Sequence, residues 1–119
     1  MPRRGKKFET ESKKFLMDYF ETSLVFKLIN TERMDFIVVD SEGTIHVIES
    51  KQTKSTYYNP KSSPRKRDQL LQYFAIVDEL RRLPDQRFSA FWLMTRLRGK
   101  VNIKSYLSLD DIPTRIEAA

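Results

Sequence analysis

The chain contains no cysteine, which removes a disulfide framework and any thiolate metal site. Glycine is almost as scarce, three in 119 residues, and no glycine-rich loop able to cradle a phosphate can be drawn anywhere along the sequence. No apolar run approaches the length needed to cross a bilayer, and the opening residues Met1 to Lys7 are basic and lack the apolar segment of a secretory signal. The expectation is an intracellular protein without a membrane partner. Internal repeats and low-complexity segments are absent as well.

What is present is aromatic and basic. Eight Phe, five Tyr and one Trp give the chain enough bulky apolar surface to build a core, against disorder. The length suits one domain spanning 1–119, with a short tail from about residue 107. Lys and Arg exceed Asp and Glu to give a net charge of +6, which points toward a polyanionic partner. The excess is clustered at Arg3, Arg4, Lys6 and Lys7, at Lys61, Arg65, Lys66 and Arg67, and at Arg96, Arg98, Lys100 and Lys104. Charge selects a class of partner, nucleic acid or an anionic surface, and not a reaction.

Hydrophobic periodicity places a helix over residues 4–20, where Phe8, Phe15 and Tyr19 form a stripe with Ser12 and Leu16 on or beside it. Glu9 flanks that stripe. A strand follows at 23–29, with Lys27 its only charge, and Asn30, Thr31 and Glu32 turn the chain. Residues 34–40 and 44–52 read as two strands around the turn Ser41-Glu42-Gly43. The stretch 53–63 is polar and reads as a loop, with Lys54, Tyr57, Tyr58 and Lys61 suited to phosphates and bases. Ser63 and Pro64 have the chemistry of a helix start, and the helix runs to about Leu83, before Pro84. Its first turns carry Arg65, Lys66, Arg67 and Gln69, where helix dipole and side chains together favour an anion. Strands at 87–97 and 101–106 close the pattern, with Phe88, Ala90, Trp92 and Met94 on one face and Phe91, Leu93 and Leu97 on the other. One of these faces is expected to pack on the two helices, and the other either packs within the monomer or, as chain length favours, is covered by a second subunit. A short helix or tail begins at Ser108. The order is αβββαβ(β), an α/β class in which a mixed sheet is flanked by helices.

The chemistry concentrates in the hairpin 34–52. Asp35, Glu49 and Lys51 are charged groups set into apolar strands, and Glu49 and Lys51 share a side because side chains alternate, about 6.5–7 Å apart. A carboxylate in a covered strand is costly unless it is paired or bound to a cation. Two carboxylates and an ammonium at one end of a hairpin suit a hard divalent cation and an activated water. The plain alternative is one cross-strand ion pair with a solvated lysine. His46 falls in register for the opposite face from Glu49, as a packing or surface residue.

Met34-Asp35 followed by Glu49-Ser50-Lys51 resembles the PD-(D/E)xK nuclease superfamily, with Met34 where the motif has proline. Within it, residues 3–97 look most like the archaeal-type Holliday junction resolvases and their viral and phage relatives. Arg3-Arg4-Gly5 ahead of Glu9 is similar to that family's opening, Lys27 falls at its basic position, and Thr31 lies where it places a serine in a loop. The loop Asn30-Thr31-Glu32 departs from the family's Gly-Ser-rich segment. Lys66-Arg67-Asp68 before a Gln/Leu-rich helix also looks like the family's segment after its active site.

The resemblance implies a restriction-endonuclease-like core and a homodimer that nicks four-way DNA junctions symmetrically by Mg²⁺-dependent hydrolysis, with Mn²⁺ able to substitute. It implies Asp35, Glu49 and the backbone carbonyl of Ser50 as metal ligands, Glu9 completing the shell through water, and Glu9, Asp35, Glu49 and Lys51 as the catalytic set. DNA contacts would come from Arg3, Arg4, Lys6, Lys27, Thr31, Lys54, Lys61, Arg65, Lys66, Arg67 and Gln69. The compartment would be the cytoplasm or nucleoid, or a host cytoplasm for a viral protein. Another nuclease of the superfamily (restriction-like, repair or flap-cutting) and a noncatalytic nucleic-acid-binding protein are the alternatives.

Overall fold

Two helices enclose a five-stranded sheet from opposite sides, in a computed structural model that describes residues 4–28 and 34–118. The elements are α1 (Arg4–Phe20), β1 (Val25–Leu28), β2 (Met34–Val39), β3 (Ile45–Thr53), β4 (Tyr57–Tyr58), α2 (Pro64–Arg81), β5 (Ala90–Leu97), β6 (Lys100–Tyr106) and β7 (Ile116–Glu117), with one 3₁₀ turn at Leu109–Asp111. The main sheet runs β1-β2-β3-β5-β6. Its neighbours are antiparallel except β3 and β5, which lie parallel because α2 carries the chain back across one face before β5 begins. The mixed sheet and the αβββαβ order are those expected from the sequence.

Strand alternation sorts the core into two layers. Phe36, Val38, Ile48 and Met94 turn toward α1 and pack with Leu16 and Val25, whereas Val47, Phe91, Leu93 and Leu97 turn toward α2 and pack with Leu70, Tyr73, Phe74 and Val77. Each face of the sheet is thus covered by a helix of the same chain. That corrects the expectation of one face on both helices and decides for packing within the monomer over a partner on the other: Met94 and Trp92 are occupied by α1. The strand expected from residue 87 starts at Ala90, and Phe88, placed with Trp92 from its spacing, lies outside it, 67% exposed beneath the Arg87 guanidinium.

Local chemistry explains the element ends. Ser63 caps α2, its Oγ accepting from the Lys66 amide at 3.2 Å, and Pro64 occupies the first turn. Asp40 organises the β2–β3 turn: its Oδ1 accepts from the amides of Glu42 and Thr44, and Gly43 takes the positive φ of 82° that this turn demands. The carboxamide of Gln86, in the loop before β5, clamps the same turn, accepting from the Ile45 amide and the Ser89 hydroxyl and donating to the Gly43 carbonyl.

The segment expected to be a loop at 53–63 contains β4, which pairs antiparallel with β7 as a second, two-stranded sheet. After Ser108 comes the short 3₁₀ turn, and the described residues that follow pack on the domain, with Ile112 and Ile116 buried in the layer beneath α2. The described helices include none long and apolar enough to cross a membrane.

His46 is a core residue held on both ring nitrogens. Trp92 Nε1 lies 3.0 Å from Nδ1, and Asp40 Oδ2 lies 2.9 Å from Nε2. An indole N–H only donates, so Nδ1 accepts and the ring proton sits on Nε2, donated to Asp40. Burial pushes the Asp40 carboxyl up, but the His46 donor and the Thr44 and Glu42 amides outweigh it and hold the group below its ordinary value of 3.8. A carboxyl depressed on folding contributes stability that is present above 3.8 and lost as the pH falls below it. Asp40→Asn sets an N–H against an N–H in either amide orientation, and should destabilise by about 1–3 kcal/mol at pH 7. Urea unfolding of both proteins at pH 7 and near pH 3 checks this. The gap must narrow in acid, and an equal gap at both would remove the charge from the explanation.

Candidate active site

The β2–β3 ladder sets position 35 directly opposite Glu49, and Lys51 follows two residues along β3. Residues directly opposite on an antiparallel pair have Cβ atoms about 4.5–5.5 Å apart. Glu49 and Lys51 continue the phase of Val47 and so belong to the α2 side of the sheet. Glu49 is 2% exposed, a carboxylate built into an apolar wall, while Lys51 is half-buried at the margin. The side chain of Asp35 lies outside those described. Among the described residues, no group of three or more His, Cys, Asp or Glu side chains is placed to hold a metal ion.

Two residues of this layer add to the picture. Thr95, 1% exposed, is the register partner of Lys51 on β5 and shares the phase of Leu93 and Leu97. Sequence reasoning passed over it; its signal is a single hydroxyl among the α2-facing residues of the run FWLMTRL. Gln69, singled out for DNA contact, lies beside the buried Leu70 on α2. Its Oε1 is buried and accepts no hydrogen bond among the described residues. A polar atom so placed loses its water without a protein donor in return, which suits a site that takes a polar ligand or an ordered water.

Glu9 and Lys27 are brought together on the other side of the sheet. Lys27 Nζ donates to Glu9 Oε2 at 2.8 Å, between α1 and the edge strand β1, and both side chains are about a third exposed. Lys27 pairs in register with Phe36, one step from position 35, so the ion pair lies at the same end of the sheet as Glu49 but across it. The structure therefore does not bring Glu9 to the Glu49–Lys51 side, and it gives Glu9 a definite role as partner of Lys27.

The basic cluster at the start of α2 is partly engaged. Lys66 Nζ donates to the Asn59 carbonyl and to Ser62 Oγ and lies over the Tyr58 ring, Arg67 Nη1 donates to the Lys61 carbonyl, and Lys61 Nζ donates to the Leu109 carbonyl. These contacts shape the 59–62 loop while leaving positive charge at its surface. Lys54 and Arg65 are exposed. Arg3 and Thr31 lie outside the described residues, as do the side chains of Arg4 and Lys6.

The arrangement is that of two acidic strand positions, opposite each other, with a lysine two residues on and a basic helix start beyond. It suits binding an anionic ester next to a hard cation. No protein-family model matches the chain, and no curated protein matches it.

Proposed function

We propose that the chain is a metal-dependent DNA endonuclease of the PD-(D/E)xK type, cutting four-way junctions as a homodimer. The observation that carries this reading is the pairing of Asp35 with a buried Glu49 across β2 and β3, with Lys51 on the same side. The mixed sheet and the αβββαβ order give that hairpin the setting the motif requires.

The donor set fits Mg²⁺: carboxylate and carbonyl oxygens, with neither thiolate nor imidazole on that side. Asp35, Glu49 and the backbone carbonyl of Ser50 would hold the ion. When bound, Mg²⁺ makes its water more acidic and neutralises charge developing on the phosphate. Lys51 holds a non-bridging phosphate oxygen as a point charge and keeps the attacking water in line. Val47, two residues back on β3, and Leu93, the register partner of Glu49 on β5, are buried apolar neighbours that help keep bulk water from that carboxylate. Lys54, Lys61, Arg65, Lys66 and Arg67 supply the counter-charge that docks the backbone of the DNA. The Glu9–Lys27 pair ties α1 to the edge strand β1, and no direct ligation by Glu9 is needed.

Dimer formation is supported by apolar side chains left exposed on the edge strand and on the outer side of α2. Phe26 and Leu28 on β1, and Leu71 and Ile76 on α2, are all exposed.

Equal concentrations of synthetic four-way junction, linear duplex and single strand, each with Mg²⁺ and with EDTA, test the proposal. Paired symmetrical nicks confined to the junction, silenced by EDTA, are expected. Cutting of all three substrates would point to another nuclease of the same superfamily. Binding without cleavage under every condition would overturn the catalytic reading and leave a nucleic-acid-binding protein.

A further inference from the structure

The side of the sheet away from Glu49 carries a second polar feature. A cleft of about 190 Å³ opens between α1 and β5–β6, lined by Glu11, Ser12, Phe15, Met94, Arg96 and Val101. Three of these six are apolar walls: an aromatic ring, a thioether and a branched aliphatic. At the rim an Arg96 guanidinium N–H donates to the Glu11 carboxylate, and both groups are partly buried. Inside, Ser12 is 3% exposed and its Oγ has no hydrogen-bond partner among the described residues. Ser50 Oγ, in the same layer because Ser50 and Met94 are register partners, is likewise buried and unpartnered. Buried hydroxyls are nearly always satisfied, by protein, water or ligand.

The lining restricts what can enter. Pockets for drug-sized ligands usually measure about 300–1,000 Å³, so this cleft takes a single small ring system. A simple anion would satisfy Arg96 but be repelled by Glu11, and a simple cation would do the reverse. A purely apolar guest would leave both charged groups of the rim without a contact. A planar heterocycle that presents donors and acceptors side by side satisfies the carboxylate and the guanidinium together, with one face on Phe15 and Met94.

We propose that this cleft binds one purine base, with Glu11 accepting from the ring N–H and exocyclic amino group of a guanine-like edge and Arg96 donating to its carbonyl. Such a base would come from an unpaired or extruded nucleotide, whose stacking energy is replaced by the apolar walls. The inference goes beyond the hydrolytic site, since the lining of the cleft lies on the α1 side of the sheet and includes none of Asp35, Glu49, Ser50 or Lys51.

Methyl NMR of Met94 and Val101 tests it, with free guanosine, adenosine and indole added in the absence of metal. Guanosine should move the methyl signals of both residues saturably, in about the millimolar range expected of so small a ligand, and adenosine should bind about tenfold more weakly. Glu11→Gln should reduce that preference to about twofold or less. Val101→Trp fills the cleft from a half-exposed position and should abolish the remaining shift, that of the Met94 methyl, without lowering the unfolding midpoint. Methyl signals that stay still up to the solubility of guanosine would overturn the proposal. So would equal shifts with all three compounds, the mark of an indiscriminate apolar hole. Because free nucleosides and no metal are used, these shifts persist even if the junction assay shows no cleavage, and the two readings fail separately.

Discussion

Glu49→Gln is expected to lower Mg²⁺-dependent junction cleavage by about 10³-fold or more while leaving junction affinity within a few-fold of wild type. The substitution keeps the shape of the side chain and removes only its charge. Affinity for DNA comes mainly from cations against phosphates, so the loss of one buried carboxylate leaves it nearly unchanged. Catalysis depends on that charge, because the ion is held by oxygen ligands whose number is already small. A second readout separates this role from a structural one. A cation that binds only the folded chain raises its unfolding temperature by mass action, so added Mg²⁺ should stabilise the wild type and not Glu49→Gln. Had Glu49 served only as half of a buried ion pair, Glu49→Gln would lose about 3–5 kcal/mol of stability, with cleavage per folded molecule preserved. Wild-type cleavage by Glu49→Gln, at any stability, would sink the proposed site.

Phe91→Ala should cost about 3–5 kcal/mol, the largest effect expected in the core. Phe91 is fully buried between α2 and the sheet, with Tyr73 stacked at 5.6 Å and Phe74 edge-on at 5.0 Å. Alanine would leave a cavity that three different elements line, and neither a strand pinned on both edges nor a capped helix can close over it. Domains of this kind have about 5–15 kcal/mol in all, so the variant would be near the limit of folding. The neighbouring Phe88→Ala supplies the contrast: it lies before the strand and is mostly exposed, and its removal should stay within about 0.5 kcal/mol. Urea midpoints of the two variants measure the difference, and similar midpoints would place the start of β5 wrongly.

Those two phenylalanines also show which part of the structure was legible beforehand. Helix and strand identities followed from periodicity, and the cap at Ser63-Pro64 and the turn at Asp40 to Gly43 from local chemistry, because each signal lies within a few residues. The pairing of Asp35 with Glu49 was legible in the same way, since a tight turn fixes the register of its hairpin. Phe88 misled because alternation extends past a strand's end without any mark in the sequence. The coverage of both sheet faces, the β4–β7 pair and the clamp at Gln86 depend on partners far apart in the chain, and two-residue strands have no period to detect. Glu9 illustrates the same limit at the site. Its place beside an apolar stripe was correct, but which side of the sheet that stripe covers is decided by the path of the chain between helix and hairpin.

The parallel contact of β3 with β5 has a consequence for how the chain finds its native state. The β1–β2–β3 meander is made of sequence neighbours, whereas Trp92 meets His46 from 46 positions away. Closing a loop of that size costs about 3 kcal/mol of chain entropy before any contact forms. The meander can therefore order early, and the joining of β5 is the slow event that topology imposes. Pulse-labelled amide exchange would show it as protection at Ile37 preceding protection at Leu93.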